Sequence, residues 1–144
     1  MDDRVQDLRP DPRQPALLRR AFAVAAAGRL AWGVAALVSP GANLRAAGVP
    51  ELQTPEVTYL TRVFGARAVA IGVGYLQGDT PARARWQRLG LLVDSLDTVG
   101  GLNALRSIDD APRRRAAVLL VAITGTYTAL GIAGSVHALL SDRH

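Results

Sequence analysis

From Ala116 to Ser141 the chain reads AAVLLVAITGTYTALGIAGSVHALLS, a run with no Asp, Glu, Lys or Arg. About 20 apolar residues in a helix cross the hydrocarbon core of a bilayer, and this run exceeds that length. It therefore predicts a membrane-spanning helix. Composition agrees: 49% of the 144 residues are hydrophobic, only 20% are charged, and the mean hydropathy is +0.15. Soluble domains of this size carry more charge.

Three further segments share the grammar that precedes the long run: a proline, basic residues, then apolar residues. The four begin QPALLRRAF, TPEVTYLTR, TPARARWQR and APRRRAAVL. Proline in a first helical turn is pre-organised and forfeits no needed donor. Thr54 and Thr80 stand directly before their prolines, where N-capping residues belong. Four helices are predicted, with apolar runs at Ala21–Val38, Tyr59–Gln77, Trp86–Leu105 and Ala116–Ser141. Residues Ala42–Ala47 predict a short helix lying at the membrane surface. The connections GDTPARA and SIDDAPRRR are tight joins, as between antiparallel neighbours.

The expected fold is all-α, an antiparallel bundle of four transmembrane helices over residues 15–144. Residues 1–14, MDDRVQDLRPDPRQ, mix charge with two prolines, have no apolar face and are expected to be a disordered tail. Acids come first and the next apolar run holds Arg29, so the segment does not read as a secretory signal. Signal cleavage near Gly41 is the weaker alternative. With both termini inside, nine arginines (4, 9, 13, 19, 20, 83, 85, 88 and 143) fall on the cytoplasmic side. Five (45, 106 and 113–115) fall outside. That balance predicts a cytoplasmic-membrane protein with both termini in the cytoplasm.

Helices one to three insert poorly when taken singly. A mid-span Arg or Asp costs about 2.5 to 3.5 kcal/mol, and each Leu or Val returns only about 0.3 to 0.6. In helix one, Phe22, Val24, Leu30, Val34, Leu37 and Val38 roughly cancel Arg29. A soluble four-helix bundle with charged grooves is accordingly a competing architecture.

The charges that matter are the deep ones. Asp94 and Asp97 lie near the middle of the third run, and Arg67 and Arg29 near the middle of the second and first. Helices one and two run in opposite directions, yet their midpoints share a depth. Two arginines and two aspartates thus meet at one level with no net charge. Asp94 and Asp97, three apart, share a face flanked by Gly90 and Gly101. Arg29 is flanked by Ala25, Ala26, Gly33 and Ala36, and Arg67 by Ala70 and Gly74. Small residues beside each charge permit close helix approach. The quartet reads either as a clasp that sets register or as the lining of a cavity for a proton or anionic group.

Weaker candidates are Arg62, shallow enough to snorkel, Tyr127, and His137, an interfacial residue with some claim to proton relay. Tyr127, Gly131 and Gly134 form one stripe on helix four, which reads first as packing. Thr124 and Thr128 can bond their own backbone. The absence of cysteine excludes disulfides, thiolate metal sites and thiol catalysis. The two histidines, His137 and His144, predict no metal site. GVGYLQG lacks the strand and Lys of a phosphate loop, and DSLD lacks the further acids of Mg²⁺-dependent membrane transferases. No catalysis, no cofactor and no nucleic-acid partner are expected, since nothing interleaves aromatics with the basic residues.

At YLTRVFGARAVAIGVGYL and LGLLVDSLDTVGG the chain resembles a group of small four-span bacterial membrane proteins, frequent in actinobacteria, whose function is unknown. Members show F-G-x-R, matched here by Phe64, Gly65 and Arg67, and D-x-x-D, matched by Asp94 and Asp97. GRLAWGVAALVSP, with Arg29, also fits. The resemblance covers roughly residues 17–140. It implies a four-span fold and a membrane location, and it brings no activity.

The leading functional expectation is a structural or accessory protein that assembles with itself or with a larger membrane partner through small-residue faces. It requires a dry interior and a Gly/Ala stripe left facing lipid. The alternative is a small transporter or binding protein for a proton-coupled or anionic solute. That reading requires a cavity reaching Asp94 or Arg67.

Overall fold

The computed structural model describes residues 14–141, folded into five α-helices and one 3₁₀ turn. The charged stretch expected to be a tail lies, up to residue 13, outside the described residues. The carbonyl of Gln14 accepts a hydrogen bond from Arg19 Nη1 at 2.6 Å.

Helix α1 spans Ala16–Val38, and Pro15 occupies its capping position rather than its first turn. Pro40 ends it. The pyrrolidine nitrogen cannot extend the ladder, and Ser39 before it sits outside the helical region at φ −138°. Pro40 instead opens α2, Pro40–Ala46, so the short helix begins two residues earlier than expected. The stop of α2 is a Schellman turn. The Val49 N–H bonds the Leu44 carbonyl at 2.9 Å, and the Gly48 N–H bonds the Arg45 carbonyl at 3.0 Å. Gly48 adopts φ +77°, which a side chain would resist.

A 3₁₀ turn, Pro50–Leu52, leads to α3, Pro55–Gln77, where the Thr54 hydroxyl accepts from the Val57 N–H at 3.3 Å. Helix α4, Thr80–Ala104, corrects one expectation. Its cap is Asp79, accepting from the Ala82 N–H at 2.8 Å, and Thr80 is the first helical residue. A carboxylate caps well and also meets the positive end of the helix dipole. Helix α5, Ala111–Ser141, starts under Asp110, whose carboxylate accepts from the Arg113 N–H at 3.1 Å.

The long helices pack as two pairs. α1 and α3 approach most closely, although the longest connection joins them, and α4 and α5 form the second pair. Contacts between the pairs are sparser, so the short Gly78–Asp79 join links helices of different pairs rather than closest neighbours. Glycine explains the α1–α3 seam. A Cβ built on Gly33 would lie 2.7 Å from the Gly65 carbonyl oxygen, one on Gly65 would lie 2.8 Å from that of Gly33, and one on Gly72 would lie 2.9 Å from that of Ala26. Backbone meets backbone there, the approach that small residues allow between apolar helices. The α4–α5 seam is glycine against side chain, with Gly131 on Leu91 and Gly101 on Val121.

Many large apolar side chains lie on the outer faces of the helices. The buried hydrophobic set is small, comprising Phe22, Ala26, Ala36, Val49, Ala68, Ile71 and Ala116. On α4, Asp94 is 3% exposed while Leu96 is 64% and Val99 65% exposed. On α5, Leu119, Leu120 and Ile123 also face outward. Among the described residues, α1 and α5 are long and apolar enough to cross a membrane. The charges on α3 and α4 make those two helices more polar.

Candidate functional site

Arg29 projects from the middle of α1, Arg67 from α3, and Asp94 and Asp97 from successive turns of α4. All four meet between the helix pairs. Arg29 grips Asp94 with both arms of its fork, Nη1 to Oδ1 at 3.0 Å and Nη2 to Oδ2 at 2.5 Å. Arg67 Nη2 donates to Asp97 Oδ2. The first pair is sheltered, with side chains 13% and 4% exposed, and the second is more open, at 38% and 26%.

Each guanidinium also finds an aromatic face. The Arg29 guanidinium carbon stands 4.2 Å from the centre of the Tyr127 ring on α5, and that of Arg67 stands 4.7 Å from the Phe64 ring one turn back on α3. Rings attract cations with their negative faces, most strongly where water is scarce. Tyr127 is held in turn by its hydroxyl, 3.5 Å from the Ala25 carbonyl oxygen. Beside the aspartates, the Thr98 hydroxyl donates back to the Asp94 carbonyl at 2.7 Å and sits 2.9 Å from the Thr124 hydroxyl on α5. Thr124 in turn reaches its own helix at the Leu120 carbonyl, 3.1 Å away, and Thr128 lies 3.4 Å from Thr98.

A cavity of about 40 Å³ lies against this cluster, lined by Arg29, Asp94, Tyr127, Tyr75, Gln87 and Gly90 among others. That is room for one or two waters. Tyr75, Gln87 and Gly131 also line a wider crevice of about 440 Å³ nearer the end of the bundle.

The sequence brought these four charges to one level but did not say which arginine serves which aspartate. The small residues beside them divide between a helix seam and other surroundings. Ala26, Gly33 and Ala36 are spent on the α1–α3 seam, and so are Gly65, Ala68 and Gly72, whereas Ala70 is exposed and Gly74 faces Trp86. The partnership of Tyr127 with Arg29 was missed, because a spacing rule within one helix carries no information about its neighbour. Gly131 and Gly134 of the same stripe pack on Leu91 and on the Phe22 ring.

The weaker candidates lie elsewhere. Arg62 is exposed. His137 is about 15 Å farther along α5 than Tyr127, with the Ser141 hydroxyl donating to its carbonyl at 3.0 Å. Among the described residues, no group of three or more His, Asp or Glu side chains is placed to hold a metal ion.

A bidentate Arg–carboxylate pair with both oxygens engaged is a strong, directional link. Chemically the arrangement can fix two helix pairs against each other, or it can exchange a proton if a carboxylate lets go of its arginine. No protein-family model, curated protein or solved structure matches the chain.

Proposed function

We propose that this chain is a four-span protein of the cytoplasmic membrane, with both termini inside. It acts as a structural or accessory subunit, associating with a second copy or with a larger membrane protein. The carrying observation is that Ala27, Ala31 and Ala35 of α1 are exposed at four-residue spacing, although Gly33 of the same helix is buried. A repeat of small residues on an outer face lets another helix approach closely in lipid. The nearly filled interior supports the same reading, and so does the outward array of leucines that a bilayer would cover. α3 and α4, too charged to insert alone, are carried by the pairing of Arg67 with Asp97 and Arg29 with Asp94.

The absence of cysteine makes the test clean. Ala31→Cys should cross-link in native membranes, to itself or to a partner of defined mass, and Ala31→Leu should abolish the association while leaving the helix content intact. Leu119→Cys, on an outer face of α5, is the control. Equal cross-linking from both positions would mean random collision and would remove the proposal.

A second reading, a carrier or binder of a proton or anionic solute, is favoured by one observation: the cavity beside Asp94 shares its lining with the wider crevice. It requires pH-dependent uptake into vesicles that Asp94→Asn eliminates without unfolding the protein.

A further inference from the structure

The crevice at the end of the bundle is built from the start of α1, the end of α3, the start of α4 and the end of α5. Its volume of about 440 Å³ lies in the range of small-molecule sites. Four arginines line it, Arg19 and Arg20 from α1 and Arg83 and Arg88 from α4, and no carboxylate lines it among the described residues. Arg19 and Arg83 are half-buried, whereas Arg20 and Arg88 are exposed at its rim. The α5 side of the crevice is made of small residues, Gly131, Gly134, Ser135 and Ala138.

Like charges gathered in one concavity repel one another, and the repulsion grows as water is displaced. An anion relieves it. Among anions, phosphate suits arginine because the planar fork matches two phosphate oxygens at once. The arginines come from different helix pairs, so one bound phosphate would bridge them. A basic pocket between helix ends, with one side made of small residues, also has the form that takes the headgroup of an anionic lipid.

We infer that this crevice binds a phosphate-bearing anion, held by Arg19, Arg20, Arg83 and Arg88. The phosphate could belong to an anionic lipid or to a soluble compound, and the same four residues would serve either. The inference is independent of the proposed subunit role. It involves neither the alanine stripe nor the deep ion pairs, so the two stand or fall separately.

The test uses the full chain in two arms. In the first, the protein is placed in phosphatidylcholine nanodiscs with and without phosphatidylglycerol, and retained lipid is read by native mass spectrometry. In the second, inorganic phosphate is titrated against the thermal unfolding of the protein in neutral detergent. Each guanidinium removed should weaken binding roughly fivefold, and Arg19→Gln with Arg83→Gln about 25-fold.

Loss of retained phosphatidylglycerol in this double variant assigns a lipid. Loss of a phosphate-induced rise in Tm assigns a soluble phosphate compound. Arg20→Gln with Arg88→Gln, both at exposed positions, repeats the measurement if the half-buried pair compromises folding. Arg45→Gln, exposed on α2, is the control for general surface charge. The inference is overturned if the parent retains neither probe, if both double variants match the parent, or if Arg45→Gln loses as much as they do.

Discussion

The seam between α1 and α3 and the seam between the two helix pairs hold the same small bundle together by opposite means. In the first, Gly33, Gly65 and Gly72 bring backbone against backbone, with nothing polar between. In the second, long charged side chains keep the helices apart and join them at their tips. The glycine seam draws on dispersion over a close surface and tolerates no added atoms. The charged seam draws on complementarity and tolerates no missing partner. Each fails under the change that the other would survive.

The largest effect should come from splitting the sheltered ion pair. Arg29→Met alone should cost about 3–5 kcal/mol, because it leaves Asp94 buried and uncompensated, and Asp94→Leu alone should cost as much. Combining them should recover most of the loss, since an apolar pair of similar volume is often as stable as a buried ion pair. Reversible unfolding in mixed micelles measures all three. Additive losses in the double variant would end the idea that this seam works by pairing.

Next comes the glycine seam. Gly65→Leu should cost about 1–3 kcal/mol by forcing α1 and α3 apart, and Gly33→Leu beside it should deepen the loss rather than relieve it. Rescue by the second change would break the contrast between the seams. The smallest effect belongs to the open pair. Arg67→Gln should cost less than Arg29→Met, because Asp97, 26% exposed, is the less enclosed carboxylate and a glutamine amide can still donate to it. A cost matching that of Arg29→Met would show that exposure does not divide the two pairs.

Much of this was legible in the chain. The four long helices followed from prolines and apolar runs, and the depth of Arg29, Arg67, Asp94 and Asp97 followed from counting along each run. Helix pairing did not follow, because loop length is a weak guide when glycine decides the closest approach. The short Gly78–Asp79 join suggested α3 against α4, and the glycines put α3 against α1 instead. The Asp79 cap was missed for a simpler reason: two capping residues stand in sequence, and nothing local ranks a threonine against an aspartate. The basic crevice was half visible. Arg19, Arg20, Arg83 and Arg88 were counted on one side of the membrane, but only the closure of α1 against α4 and α5 gives them a common hollow.

Arg29 and Asp94 are separated by 65 positions, and that separation bears on how the chain is made. A ribosome releases Arg29 and then Arg67 well before either aspartate exists, so for part of synthesis the first two long helices carry cations without counter-ions. If the chain enters a bilayer as proposed, neither cation has its partner during that interval, at a cost of about 2.5 to 3.5 kcal/mol for each at mid-span. On that proposal the insertion of α3 waits for α4, and a nascent chain arrested before Asp94 should be extracted by alkali more readily than the completed one.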